Sequence, residues 1–165
     1  MIVSNATPLI YLAKIGKHEL LKDVFGNIYI SKEVKSEVVD KGKLLGKKDA
    51  YVIEKAIKDG WIIVVNAVRH ATSIPLDAGE ESTINLALQK KADFVLLDEA
   101  RARTAAKLMG LKPLGTAGIL LFALKKRKIT HEELLSLIEK LVEEGFRLRH
   151  EVYLEIISRA EKYRR

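Results

Sequence analysis

The feature that most constrains the fold of this chain is the apolar run Phe94–Leu97, which lies between Asp93 and the acidic pair Asp98 and Glu99. A strand with one solvated face would alternate apolar and polar side chains, and this run does not alternate. A short, continuous apolar run is typical of a central strand in a parallel sheet that helices cover on both faces. The run therefore predicts a strand over Asp93–Leu97 in the middle of an α/β fold.

The rest of the chain alternates between strand and helix patterns around that run. We predict four further strands, at Met1–Ser4, Asn27–Ile30, Trp61–Val65 and Lys112–Leu114. The polar segment Asn66–Pro75 is predicted to be irregular. Strands that alternate with helices in this way predict a parallel sheet with helices on both of its faces.

Apolar residues at helical spacing predict helices between the strands and after the last one. The first helix runs through about Ile15, and Ser4 or Thr7 is available as its cap. The segment Lys32–Lys41 forms a helix after the second strand. Near the C-terminus, Thr130-His131-Glu132-Glu133 has the pattern of a capping box at the start of a helix.

The size of the chain indicates one domain. Its 165 residues are divided into a core at about 1–130 and a helical C-terminal extension at about 131–165. No apolar run reaches the roughly 18 residues of a membrane span, and the N-terminal residues lack the pattern of a signal peptide. The chain contains no cysteine, which excludes disulfides and a thiol nucleophile. We therefore expect a cytoplasmic protein with no membrane association.

The positive charge is concentrated in the last third of the chain. Residues 1–100 carry 14 Lys/Arg and 14 Asp/Glu, whereas residues 101–165 carry 15 and 8, so the whole net charge of +7 arises after residue 100. A one-sided basic excess indicates a polyanionic partner such as a nucleic acid. A lysine-rich solvated surface would give the same composition, and charge alone does not choose between them.

Several acidic or amide side chains are predicted to lie near one edge of the sheet. Asn5 directly follows the first strand, and Asp98 and Glu99 directly follow the central one. Glu37 is in the helix after the second strand, and Glu80 is in the first turn of the helix after the third. Binding sites in parallel α/β sheets lie at the carboxyl ends of the strands, so these side chains can converge there.

Such a group of residues suits phosphodiester hydrolysis with Mg²⁺ or Mn²⁺. Magnesium prefers oxygen ligands, and two such ions can activate a water and stabilise the leaving oxygen. Each residue also has a structural interpretation. Asp98 and Asp77 could cap helices, Glu37 could be a solvated charge, Glu80 could favour a helix dipole, and Asn5 could be a turn residue. Their joint placement carries the functional interpretation.

Three motifs in the same order resemble the PIN-domain family, specifically its VapC-toxin-like branch. Val3–Ile10 resembles an opening that normally reads V-S-D-x-S/T-P-L-I. Leu76–Ala87 is similar to a helix that reads G-E-x-E-A-I-x-L-A. Val95–Arg103 and Leu111–Leu120 resemble D-D/E-x-x-A-R followed by G-L-x-x-x-G-T-x-G-x-L. Together these motifs span about residues 1–130.

The resemblance implies a PIN-like three-layer α/β/α fold and a metal-dependent endoribonuclease that cleaves single-stranded RNA. Its four acidic positions fall on Asn5, Glu37, Glu80 and either Asp98 or Glu99, with Asp98 as our first choice for the metal ligand. Two departures stand out in this chain. The first acidic position is Asn5, and the second acid of the helix motif is replaced by Ser82.

The amide at Asn5 admits three explanations. The protein is a weakened nuclease, it has lost catalysis and kept binding, or an engineered substitution stands at this position. In the second case the domain is an RNA- or antitoxin-binding module and not an enzyme. A phospho-acceptor receiver domain is a further alternative, because it also places acids at strand ends, but it would not need Glu80.

The expected partners are RNA, a small antitoxin protein and a second copy of the chain in a homodimer. Candidate RNA-binding residues lie after residue 98. They are Arg101, Arg103, Thr116, Lys125, Lys126, Arg127 and Lys128. The arginines could clamp phosphates, and free amides in the turn around Thr116 could hold one. The basic run could instead be the solvated end of a helix, and Thr116 could be a helix cap.

Overall fold

The computed structural model describes residues 1–68 and 73–164. Its centre is a parallel sheet with strand order β3-β2-β1-β4-β5. The strands are β1 (Ile2–Ser4), β2 (Ile28–Ser31), β3 (Ile62–Val65), β4 (Phe94–Leu96) and β5 (Pro113–Leu114). All five predicted strands are present, and each end lies within one residue of the predicted end.

Helices follow the strands in the predicted alternation. They are α1 (Ala6–Lys14), α2 (Glu19–Phe25), α3 (Lys32–Lys35), α4 (Gly42–Leu44), α5 (Lys48–Lys58), α6 (Ala78–Lys90), α7 (Ala100–Leu108), α8 (Thr116–Lys125), α9 (His131–Glu143) and α10 (His150–Glu161). A π-helical segment, Ser36–Lys41, joins α3 to α4. The predicted irregular segment Asn66–Pro75 is described only in part, because residues 69–72 lie outside the described ranges.

The sheet is covered on both faces, which gives three layers. Ile2 and Ile28 face one side and pack with apolar residues of α1, α2, α5, α8, α9 and α10. Val3, Val95 and Leu97 face the other side and pack with α6 and α7. Neighbouring residues of a strand point to opposite faces, so a strand without polar residues can serve both layers. The predicted three-layer α/β/α class is confirmed.

The C-terminal helices join the larger of the two cores. The capping box predicted before α9 is present: the Thr130 hydroxyl accepts from the Glu133 amide, and the Glu133 carboxylate accepts from the Thr130 amide. Leu134 of α9 and Ile156 of α10 are buried in the same cluster as β1 and β2. The segment between α9 and α10 is therefore held close to the sheet.

The strand order defines where a site is expected. The chain moves outward from β1 through β2 to β3 and then returns to the other side of β1 with β4. Ligands in such sheets bind at this change of direction, outside the carboxyl ends of the central strands. Asn5 follows β1 and Asp98 follows β4, so both lie at this place. No helix in the described ranges is long and apolar enough to cross a membrane.

Candidate active site

Asn5 lies where β1 ends and α1 begins. Its backbone amide donates to the Leu96 carbonyl at 3.0 Å, which fixes it beside β4. Asn5, and not Ser4 or Thr7, is the N-cap residue of α1, yet its side chain makes no capping hydrogen bond. Asn5 is 6% exposed, and its Oδ1 has no hydrogen-bond partner among the described residues. A buried acceptor without a partner is costly, so this oxygen is suited to bind a cation or a water.

Three side-chain oxygens surround the position that a side chain at Gly79 would occupy. A Cβ built on Gly79 would lie 3.1 Å from Glu37 Oε2, 3.2 Å from Asn5 Oδ1 and 3.4 Å from Asp77 Oδ1. Atoms this close to one point are neighbours of one another, and glycine leaves the space between them open. We call the space bounded by Asn5, Glu37, Asp77 and Gly79 the oxygen cradle.

A chain of hydrogen bonds sets the position of α3 relative to α6. The Val34 amide donates to Ser31 Oγ at 3.1 Å, the Ser31 and Ser82 hydroxyls are 2.7 Å apart, and Ser82 Oγ donates to the Gly79 carbonyl at 3.0 Å. Ser31 and Ser82 are both buried. The serine that replaces an acid of the helix motif thus helps to hold the two sides of the oxygen cradle together.

Glu37 belongs to the π-helical segment Ser36–Lys41, which the sequence did not predict. The segment buries the adjacent residues Val38 and Val39 and leaves Glu37 exposed at the edge of the oxygen cradle. π-Helical turns are rare and occur often at functional sites. The side chain of Glu37 therefore borders the oxygen cradle from an irregular helical turn.

Glu80 and Asp77 form a capping box at the start of α6. The Asp77 amide donates to Glu80 Oε1 at 3.0 Å, and the Glu80 amide donates to Asp77 Oδ1 at 2.7 Å. Glu80 is only 8% exposed. Asp77 is therefore the predicted helix cap and, in addition, one of the three oxygens of the cradle. The helix-cap pattern of Asp77 in the sequence gives no indication of this second role.

Asp98 is held by the first residue of α8. The Thr116 amide donates to Asp98 Oδ1 at 2.8 Å, and the Thr116 hydroxyl donates to Asp98 Oδ2 at 2.6 Å. The helix cap is Gly115 and not Thr116. A Cβ on Gly115 would lie 3.0 Å from Asp98 Oδ1, so a glycine permits this close approach. Both polar groups of Thr116 are used inside the protein, and Thr116 thus orients Asp98 instead of presenting free donors.

Three carboxylates at this edge of the sheet, those of Glu37, Glu80 and Asp98, have raised pKa values. Partial desolvation of the carboxylate, followed by the nearby charge of Asp77, raises the pKa of Glu37, although the residue as a whole is exposed. Burial is also the main cause of the raised pKa of Glu80, to which Asp77 and Glu99 contribute. Burial raises the pKa of Asp98 against the opposing hydrogen bonds from Thr116. Perturbed carboxylates that share a cleft are a physical mark of a functional site.

Glu99 connects the two groups of acids. Its charge acts on both Glu80 and Asp98, and its side chain is exposed. The structure therefore brings Asn5 and Glu37 together in the oxygen cradle, and it places Glu80, Glu99 and Asp98 along the same edge. Each of the five predicted residues lies at the carboxyl end of the sheet or on a helix that borders it.

The predicted basic residues are not brought together. Arg103 lies at the site, where its Nη1 donates to the Leu97 carbonyl at 3.1 Å. Arg101 is exposed on α7. The run Lys125–Lys128 is at the far end of α8, about 14 Å along the helix axis from Thr116. That run is therefore well separated from the acids.

The structure adds basic residues that the sequence analysis did not single out. A groove of about 610 Å³ beside Asp98 and Glu99 is lined by Arg147, Arg149 and Arg159 together with Arg103. The concentration of charge after residue 100 was the available signal. It could not show which of those charges face the acids, because that depends on how α9 and α10 pack.

The oxygen cradle fits a divalent cation with oxygen ligands. Within residues 1–68 and 73–164, no three Asp, Glu or His side chains come close enough to hold a metal by themselves. Asn5 is an amide, so the cradle contains only two carboxylates. Mg²⁺ usually keeps several waters and binds through one or two carboxylates plus substrate phosphates. Asn5 Oδ1, with no other partner, and the open space at Gly79 match that mode of binding.

The fold and the site together define a parallel α/β protein with an acidic cleft at the change of strand direction. A family model described as "PIN domain" matches residues 1–162, and the chain belongs to this family. Members of the family are generally nucleases and typically use divalent metals. The match decides against a receiver domain, and it does not extend to the VapC-like branch.

A solved structure supports the fold. The chain resembles a PilT N-terminus domain protein from the hyperthermophilic archaeon Sulfolobus solfataricus P2, with a TM-score of 0.51 and 15% identity. The similarity covers 91% of this chain and 98% of the other. No match was found among curated proteins.

Proposed function

We propose that this protein is a metal-dependent endoribonuclease that cleaves single-stranded RNA. The observation that carries the proposal is the oxygen cradle: a buried, unpartnered Asn5 Oδ1 beside Glu37 and Asp77, bordered by Glu80. A divalent cation bound there would activate a water and stabilise the leaving oxygen of a phosphodiester. The family membership supports the same chemistry.

The chain's own residues have distinct parts in this proposal. Asn5, Glu37 and Asp77 supply oxygen atoms to the cation. Thr116 holds the carboxylate of Asp98 in one orientation, as outer hydrogen-bond partners do for ligating carboxylates. Two of the roughly four lone-pair sites of Asp98 remain available for a cation or its waters.

The three sequence motifs support a narrower assignment. We propose a toxin-like role of the VapC type, with a small antitoxin protein as its partner and a homodimer as its assembly. The motifs carry this assignment, and co-purification of the chain with the product of an adjacent small gene would test it. Recovery of the chain alone and monomeric, when both genes are expressed together, would contradict it.

An inactive binding module is the second candidate, and Asn5 is the observation that favours it. An amide brings no charge to the first position, so cation affinity is lower than for a carboxylate. In this case RNA would bind and remain intact. The two candidates differ in whether the bound RNA is cleaved in the presence of a divalent cation. A cleavage assay decides between them.

Manganese is expected to raise the melting temperature. Ion binding relieves repulsion among the crowded carboxylates, and a hundredfold excess over the dissociation constant stabilises the native state by about 2.7 kcal/mol. For a chain of this size the shift is roughly 5–10 °C. Differential scanning fluorimetry with and without millimolar Mn²⁺, against a background of EDTA, measures it. An unchanged melting temperature would contradict the cation site.

A further inference from the structure

The groove beside the acids is lined by two parts of the chain that are distant in sequence. Asp98, Glu99 and Gly115 come from the carboxyl end of the sheet, and residues 145–159 come from the segment between α9 and α10 and from α10 itself. Its volume of about 610 Å³ lies within the range of roughly 300–1,000 Å³ for ligand-binding clefts. The groove therefore leads directly to the proposed catalytic edge.

The groove has four arginines in its lining, Arg103, Arg147, Arg149 and Arg159, and three acids, Asp98, Glu99 and Glu155. Arg147 and Arg149 are exposed, and neither has an ion-pair partner in the part of the chain that the structure describes. Arg159 contacts Glu155 at 3.5 Å, but both side chains are mostly exposed. Exposed pairs contribute about 0–1 kcal/mol and exchange readily. These arginines are therefore available to an anion in the groove.

The segment that carries Arg147 and Arg149 is anchored to α1. The rings of Tyr11 and Phe146 meet edge to face with centroids 5.2 Å apart. The Tyr11 hydroxyl donates to the Gly145 carbonyl at 3.4 Å. Because α1 begins directly after Asn5, this contact ties the position of the arginines to the helix that starts beside the oxygen cradle.

We infer that Arg147, Arg149 and Arg159 bind backbone phosphates of the RNA strand and position it across the acidic edge. This inference rests on the proposed function, because it assigns the substrate path to the same site. The planar guanidinium group matches phosphate geometry with two parallel hydrogen bonds. The C-terminal segment is then a wall of the substrate site, and the three arginines are positioning residues that lie outside the chemistry itself.

Binding in the absence of cleavage tests the inference. Fluorescence anisotropy of a labelled single-stranded RNA in EDTA measures affinity for the wild type and for Arg147→Ala/Arg149→Ala/Arg159→Ala over a range of salt concentrations. Each phosphate contact on a single strand contributes about 0.7 to the slope of log K against log salt, so the slope should fall by about 2. We expect affinity at about 100 mM salt to fall at least tenfold.

The matched comparison is Lys125→Ala/Lys126→Ala/Lys128→Ala, which removes the same charge at the far end of α8. We expect it to lose less than threefold in affinity. The variant Arg147→Lys/Arg149→Lys/Arg159→Lys retains charge without the planar fork and should fall between wild type and the alanine variant. Two results would overturn the inference. One is an equal loss of RNA affinity in the triple arginine-to-alanine and the triple lysine-to-alanine variants. The other is wild-type affinity in the triple arginine-to-alanine variant.

Failure of this inference and failure of the proposed function give different results. Manganese-dependent cleavage that does not depend on the arginines would overturn only the inference. Arginine-dependent binding with no cleavage under any metal would support the inference and contradict the nuclease. An acidic peptide that binds as tightly as RNA, through the same arginines, would assign the groove to a protein partner and overturn the inference.

Discussion

Asn5→Asp is expected to cleave single-stranded RNA with Mn²⁺ up to about tenfold faster than the wild type. The new carboxylate would replace an amide oxygen that already borders the cradle, 3.2 Å from the Cβ position of Gly79. Asparagine and aspartate have nearly the same shape, so packing around this buried position should persist. A charged ligand contributes about 1.5–3 kcal/mol where a neutral one contributes about half as much, and the difference corresponds to roughly three- to twelvefold in cation affinity.

The metal-free form of Asn5→Asp should be slightly less stable than the wild type. One more negative charge joins Glu37 and Asp77, and like charges in a cleft repel. The melting shift with Mn²⁺ should therefore be larger in Asn5→Asp than in the wild type. If the wild type cleaves well and Asn5→Asp is no faster, Asn5 does not occupy the weakened cation position. If neither protein cleaves under any metal, the domain is a binding module.

Glu37→Gln is expected to lower the rate of RNA cleavage at least about a hundredfold and to remove most of the manganese-induced melting shift. Catalytic metal ions stabilise transition-state charge by several kcal/mol, and this variant removes one of the two carboxylates of the oxygen cradle. RNA cleavage should be compared at equal protein concentration in the Asn5→Asp background, where the signal is largest.

The same substitution should not destabilise the metal-free protein. Partial desolvation of the carboxylate raises the pKa of Glu37, so the native state binds this proton more readily than the unfolded chain does. The free energy of unfolding then falls as the pH rises through the raised pKa. At neutral pH the charged carboxylate costs free energy because it is partly desolvated, and glutamine avoids this cost. The gain in stability from Glu37→Gln is small because Glu37 is an exposed residue. A matched control is Glu33→Gln in α3, an exposed acid for which we expect wild-type cleavage and melting shift. Equal losses in both variants would contradict the assignment of Glu37.

The sheet could be predicted because its strands carry signals that do not depend on the rest of the fold. Phe94–Leu97 is continuously apolar, and such a run is buried on both faces wherever it lies in a parallel sheet. The boundaries shift by at most one residue because strand ends depend on pairing with a neighbouring strand, which the pattern of a single strand does not show. The choice of Ser4 or Thr7 as the cap of α1 was wrong. Ser4 lies in β1, and its hydroxyl donates to the Asn5 carbonyl, while Thr7 is already inside the helix.

The candidate site was only partly readable in the sequence. Asn5 and Asp98 follow strands directly, so the topology alone places them at one edge. The role of Asp77 in the oxygen cradle depends on Gly79, which lacks a side chain, and on Glu37, which lies nearby in the π-helical segment. A π-helical turn has no simple sequence pattern. The groove formed by residues 145–159 depends on the packing of two helices whose periodicity shows only which face is apolar.

The central claim is that the oxygen cradle binds a catalytic divalent cation. Anomalous scattering from a crystal soaked in Mn²⁺ tests it most directly, because it reports the position of the ion without relying on activity. We expect a manganese peak in contact with the side-chain oxygens of Asn5, Glu37 and Asp77, in the space that faces Gly79. Manganese peaks elsewhere on the protein, with none at this position, would contradict it.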